Sequence, residues 1–189
     1  WAAVVTGVVA AACFSLIPGS SLAGQLLVNG GFETGDFSGW RVVDREGGSG
    51  SFFVASGIVS PLSNTETAGP LAGDFYAVSD QDGPGTHVLL QTFTVPYASP
   101  TLLTFFLFAN DQSGAGPIID IAGLDHSAAP NQHARVDILK GDATPFDTGA
   151  GVLANLFLGV DPGPFPHAYS AYSFDLTDLI GNGGTFQIR

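Results

Sequence analysis

The sequence predicts an all-β chain folded as a two-sheet antiparallel sandwich, and three observations carry that expectation. Charged residues make up only 12% of the chain and hydrophobic ones 45%, with 26 Gly and 12 Pro. That composition, rich also in Phe, Val, Thr and Ser, suits turn-rich strands better than helices. Short apolar or alternating runs recur between clusters of Gly, Pro, Asn and Asp, which is the pattern of strands separated by turns. No internal repeat is present, and a propeller would need one.

The chain opens on an apolar segment that does not read as part of the fold. Ala2 to Ile17 are nearly all apolar or small, and Pro18-Gly19 then breaks the run before Ser21-Leu22-Ala23. Small residues at −3 and −1 fit a signal-peptidase site after Ala23, so residues 1–23 are expected to be a signal peptide and 24–189 a single domain. The rival reading is a membrane anchor, although the run falls short of the roughly 20 residues a spanning helix needs. Cys13, the only cysteine, lies in this segment after Ala10-Ala11-Ala12, a faint lipidation pattern. Once the signal is removed, neither a disulfide nor a cysteine-based zinc site is available. The chain starts at Trp1 without any Met, and Gly184 to Arg189 alternates like a strand stopped midway, so both ends are expected to be cut.

The rest reads as strands in series. Leu26-Leu27-Val28 is a short strand ending at Asn29-Gly30-Gly31, followed by Gly39 to Val43, Ser51 to Ala55 and Phe75 to Val78. Residues 57–73 form a long loop. His87 to Val95 is a strand with Leu89, Gln91, Phe93 and Val95 on one face. Thr101 to Ala109 is apolar on both faces, as in a strand covered on both sides. Residues 110–132 are a polar insertion, Arg135 to Leu139 alternates again, and Val152 to Val160 is a strand or a short helix. Tyr172, Phe174 and Leu176 share a face, and Asp178 to Gly181 is one helical turn before the last strand. The total is eight to ten strands and no helix beyond about two turns.

The segment Leu27-Val28-Asn29-Gly30-Gly31-Phe32-Glu33, continuing to Gly39-Trp40, resembles the opening of carbohydrate-binding-module-like, galactose-binding-like jelly rolls. It looks most like the version in bacterial exported proteins with a PEP-CTERM sorting tail. Phe75 to Val78, Leu90 to Pro96 and Tyr172 to Thr177 fit the same group. The resemblance implies a jelly-roll topology, a secreted or cell-surface location, and extracellular polysaccharide or surface matrix as partner. It also implies a structural calcium held in part by Glu33. Independently, Asn29-Gly30-Gly31 permits a tight turn that exposes carbonyls beside the Glu33 carboxylate, and such hard oxygen ligands suit Ca²⁺. Asn29, Gly31 and Glu33 are therefore the candidate calcium ligands, with a turn-capping Glu as the alternative.

Lys plus Arg number 5 against 17 Asp plus Glu, a net charge of −12. This balance argues against nucleic acid and against anionic lipid surfaces. Trp40 reads as core, while Tyr76, Tyr97, Tyr169 and Phe53 are candidates to stack on a sugar, the three tyrosines first among them. The stretch from Asn110 through Asp125-His126, His133 and Asp137 could ligate a metal, but the spacing matches no familiar pattern and a solvated insertion is the plainer reading. Asp80-Gln81-Asp82-Gly83 begins like a calcium loop without its closing Glu. With no GxSxG, P-loop or dinucleotide fingerprint, no enzyme is expected. A non-catalytic binding module leads, ahead of a structural or adhesive matrix protein and a metal-dependent hydrolase.

Overall fold

The computed structural model describes residues 5–6, 25–111, 119–120, 123–128, 132–159 and 166–189. Among these the chain is all-β and antiparallel. The strands are β1 (Val5–Thr6), β2 (Arg41–Asp44), β3 (Ser51–Ala55), β4 (Tyr76–Asp80), β5 (His87–Val95), β6 (Leu102–Leu107), β7 (Asn110–Asp111), β8 (Ala134–Lys140), β9 (Val152–Gly159), β10 (Ser170–Asp175) and β11 (Gly184–Ile188). A single helical turn, α1 (Thr177–Ile180), precedes β11, as the sequence predicts. The expected signal peptide, residues 1–23, lies outside the described residues except for Val5–Thr6, whose backbone pairs with Asn110–Asp111.

Five strands form one sheet in the order β2-β5-β11-β8-β9. Two ladders, β6–β10 and β3–β4, pack against it through the apolar core. Phe93 and Val95 of β5, Val136 and Ile138 of β8 and Ile188 of β11 meet Leu103, Phe105 and Leu107 of β6. Tyr172 and Phe174 of β10 stack on Phe105 at 5.0 and 6.0 Å between ring centroids. Such a fully enclosed ring is hard to replace, and Phe105→Ala would cost about 3–5 kcal/mol. The β3–β4 ladder covers the other end of the sheet, where Phe52 and Ala77 join Phe32 and Leu89.

Three readings of the sequence need correction. Leu26 to Val28 is not a strand, because its backbone is held by a side chain instead of a ladder. β4 runs on through Ser79 and Asp80, so these residues belong to the strand and not to the turn after it. β6 has one buried face, Leu103, Phe105 and Leu107, and one half-buried face, Leu102, Thr104 and Phe106. The Leu102, Thr104 and Phe106 face is only half-buried, so β6 is not covered on both sides. The ambiguous run from Val152 is resolved as strand β9.

Candidate functional site

The opening motif is built from three successive tight turns. Phe32 N–H donates to the Asn29 carbonyl at 3.1 Å, Gly35 N–H to Phe32 at 2.9 Å, and Trp40 N–H to Phe37 at 2.8 Å. The left-handed positions are Asn29 (φ 50°), Phe32 (φ 62°), Gly35 (φ 73°) and Gly39 (φ 85°), not Gly30 or Gly31. Asn tolerates that region well. Phe32 is held there by complete burial between Phe37 and Trp40, with ring centroids at 6.0 and 5.4 Å.

The candidate calcium ligands divide. The Asn29 carbonyl accepts from both Phe32 N–H and the Trp40 indole N–H at 3.1 Å, so its two lone pairs are engaged within the turn. Its side chain donates to the Asp36 carbonyl at 3.0 Å. Gly31 is exposed. The Glu33 carboxylate accepts backbone N–H groups from Asp74 at 3.0 Å and Phe75 at 3.2 Å, anchoring the end of the 57–75 loop to the opening turns. Each Glu33 oxygen keeps one lone pair beyond these bonds. Gly73 is required beside it: its φ is +72°, and a Cβ there would collide with the Glu33 carboxylate.

The three tyrosines have different fates. Tyr76 is 1% exposed and shares a 2.6 Å hydrogen bond with Thr67, so its ring offers no face to solvent. Burial pushes its hydroxyl pKa up, against the Thr67 hydrogen bond. Tyr169 packs edge-on against Phe108 at 5.0 Å and donates to the Gly69 carbonyl at 2.7 Å. It is half-buried against the Tyr76 cluster, where burial and then the neighbouring Tyr76 raise its pKa. The expectation of a ligand surface is corrected for Tyr76, whose ring is enclosed; Tyr169 stays half-buried, with its hydroxyl engaged by Gly69. Phe53 likewise packs on the Tyr76 cluster. Tyr97 alone is open, at 83% exposure. It sits in the turn Pro96 to Pro100, where Gly183 (φ +86°) lies so close that a Cβ would come within 3.0 Å of the Tyr97 backbone. Trp40, as expected, packs its ring on core residues.

Among the described residues, the acidic and histidine residues of the insertion do not converge. Asp125 pairs with Arg45 at 3.2 Å, and His126 N–H donates to Thr86 at 3.0 Å. Asp137 lies in β8, fully buried between Arg135 and Arg189. Among the described residues no group of three His, Cys, Asp or Glu side chains could hold a metal. Asp80 does not open a calcium loop. Its buried carboxylate accepts Leu62 N–H at 2.6 Å, Ser63 N–H at 2.9 Å and the Ser63 hydroxyl at 2.6 Å, pinning the 57–73 loop. Burial pushes its pKa up, but these donors outweigh that and hold it below the usual carboxylate value.

Two arrangements have no signature in the sequence. Asp44, His87 and Gln81 form a hydrogen-bonded row, Nδ1 to Asp44 at 2.8 Å and Nε2 to Gln81 at 3.0 Å. The nearby Ser51 hydroxyl donates to Asp44 at 2.8 Å and not to the imidazole, so it is not poised as a nucleophile. The second is an open cleft of about 420 Å³ on the outer face of the five-stranded sheet. Arg41, Leu90, Thr92 and Gln187 line it, with Gly39, Trp40 and Gly141 around them. The register explains the grouping, since Arg41 pairs with Leu90 and Thr92 with Gln187 across adjacent strands. Only alternation on a correctly ordered sheet brings these four together, and strand order is not written in the sequence.

No protein-family model, curated protein or solved structure matches this chain. Among the described residues no helix is long and apolar enough to cross a membrane.

Proposed function

We propose that this chain is a non-catalytic binding module of jelly-roll type, exported to the cell surface or beyond, whose ligand is an extracellular polysaccharide. The observation that carries the reading is Tyr97, a large aromatic ring left 83% exposed on a turn whose backbone lies against Gly183. A rigid, solvent-facing ring loses little entropy on stacking against a sugar face. The exposed Thr92, Thr94 and Thr185 continue from that turn along the outer face of β5 and β11, and the two threonine hydroxyls of the last pair lie 3.5 Å apart. From Tyr97 to Thr92 the strand spans about 17 Å, which suits an oligosaccharide more than a single sugar.

A structural calcium beside the opening turns is part of the same reading, with Glu33 and Gly31 contributing oxygens and Asn29 its side-chain Oδ1, since its backbone carbonyl is engaged. The second reading, a matrix protein without a small ligand, is favoured by the aliphatic side chains Ile58, Val59, Leu62 and Leu71 exposed on one loop. Retention on a panel of insoluble polysaccharides separates the two. The binding module is retained on at least one and released by Tyr97→Ala. Failure to bind any of them, with Tyr97→Ala indistinguishable from the parent, would transfer the case to the matrix reading.

A further inference from the structure

We infer that the cleft on the outer face of the five-stranded sheet is a subsite for a sugar bearing a carboxylate, a uronate, with Arg41 as its recognition residue. The inference rests on the binding-module reading for the ligand's class, but not on Tyr97.

Charge provides the first argument. The chain holds only 5 basic residues against 17 acidic ones. Arg45, Arg135 and Arg189 are each bound to an aspartate. Arg41 is exposed, and among the described residues its guanidinium has neither an ion pair nor a hydrogen bond. An arginine left without a carboxylate in so acidic a protein, at the rim of a cleft, is set to receive one from outside. Its planar fork matches a carboxylate in two parallel hydrogen bonds. The net charge of −12 also limits the ligand. A dense polyanion would be repelled, whereas a chain with sparse uronates would not.

The base of the cleft provides the second, independent argument. Gln187 is 5% exposed. Its amide nitrogen donates to the carbonyls of Gly141 at 2.9 Å and Ala143 at 3.1 Å, with Lys140 at 3.4 Å. Three facing carbonyls fix the amide orientation, because the reverse would set oxygen against oxygen. Gln187 Oε1 is then left buried with no donor. A buried acceptor without a partner is costly, but this oxygen has no surface open to solvent, so a ligand hydroxyl would satisfy it only once the Gln187 amide turns toward the cleft. Thr92 adds an exposed hydroxyl beside it, and Leu90 a small apolar floor. An unpaired guanidinium, an exposed hydroxyl and an apolar floor on one cleft are together the complement of a sugar acid.

The test is a backbone and side-chain amide NMR titration of the full chain with glucuronate and galacturonate, set against glucose and galactose. The expected result is a saturable shift at Arg41, Thr92 and the Gln187 side-chain amide with at least one acid and with neither neutral sugar. Arg41→Gln is expected to weaken it about tenfold, and Arg41→Lys to restore only part of it. Tyr97→Ala leaves this local shift in place. Equal responses to acid and neutral sugars, or no response to either acid, would overturn the subsite. If polysaccharide retention persists and still depends on Tyr97 while the acids give no shift, the subsite fails and the binding module stands. If the acids bind through Arg41 but Tyr97→Ala leaves retention unchanged, the subsite stands and the Tyr97 platform fails.

Discussion

The side-chain amide of Gln91 holds the backbone of Val28 as a neighbouring strand would. Val28 N–H donates to Gln91 Oε1 at 2.6 Å, and Gln91 Nε2 donates back to the Val28 carbonyl at 2.8 Å. Gln91 points inward from β5 and is buried, so one polar residue on an apolar face substitutes for a ladder and fixes where the opening turns begin. Gln91→Leu should therefore destabilise the protein by about 1–3 kcal/mol despite added hydrophobic area, because two backbone groups lose their partners. Chemical denaturation gives the midpoint, and a neutral or stabilising outcome would show that water serves Val28 equally well.

Asp137 makes stability depend on acid. Burial alone would raise its pKa. The Arg135 hydrogen bonds, the charge of Arg189 and the Asn155 amide outweigh that and hold it below the ordinary 3.8. A carboxyl whose folded value lies below its unfolded value stabilises the fold fully above the unfolded value, and loses that contribution as pH falls through the folded one. Asp137→Asn should cost about 3–5 kcal/mol near neutral pH by leaving two buried guanidinium groups with one carboxylate fewer. The gap from the parent should narrow as pH drops below about 4. Urea midpoints measured across pH give both quantities, and a pH-independent gap would mean the loss is one of packing.

These two residues also mark what the sequence discloses. Alternation placed Gln91 on the inner face of β5 correctly, because period two is a local property of the strand. Its role was hidden, since Val28 is 63 positions away. In the sequence Asp137 reads as a possible metal ligand, because nothing nearby reveals that Arg189 lies across the ladder from it. The turn-rich composition and apolar runs revealed strands, a helical turn and the long loop. Strand order was not revealed, and with it went the Arg41–Thr92–Gln187 cleft and the burial of Tyr76 and Tyr169. Composition distinguishes an aromatic from a polar residue, but only packing decides which tyrosine faces water.

Glu33 carries a structural role that can be separated from any metal. In calcium-free buffer Glu33→Ala should already lower stability by about 1–2 kcal/mol, since Asp74 and Phe75 N–H lose their acceptor. Gly73→Ala should act in the same direction, through its φ of +72° and by displacing the Glu33 carboxylate from those N–H groups. Added Ca²⁺ should stabilise the parent by about 2.7 kcal/mol at a hundredfold excess over Kd, seen as a rise in melting temperature, and should leave Glu33→Ala unmoved. Thermal unfolding with and without chelator reads all three. Absence of any calcium shift in the parent would reduce Glu33 to a loop anchor.

Tyr76 and Tyr97 should respond in opposite ways to the same substitution. Tyr76→Ala empties a site in the core and removes the Thr67 hydrogen bond, so it should cost about 3–5 kcal/mol. Tyr76→Phe keeps the ring and should cost about 1 kcal/mol. Tyr97→Ala removes a ring that is 83% exposed and should change stability by less than about 0.5 kcal/mol. Its effect should fall on binding, where loss of one stacking ring weakens polysaccharide affinity about 2- to 10-fold. Melting curves and affinity electrophoresis on the same three variants give a two-by-two outcome. A Tyr97→Ala protein that melts normally but migrates freely through the polysaccharide supports a ligand role for the ring. One that melts early would instead assign Tyr97 to holding the Pro96–Pro100 turn against Gly183, and the exposed ring would no longer count as evidence of a ligand.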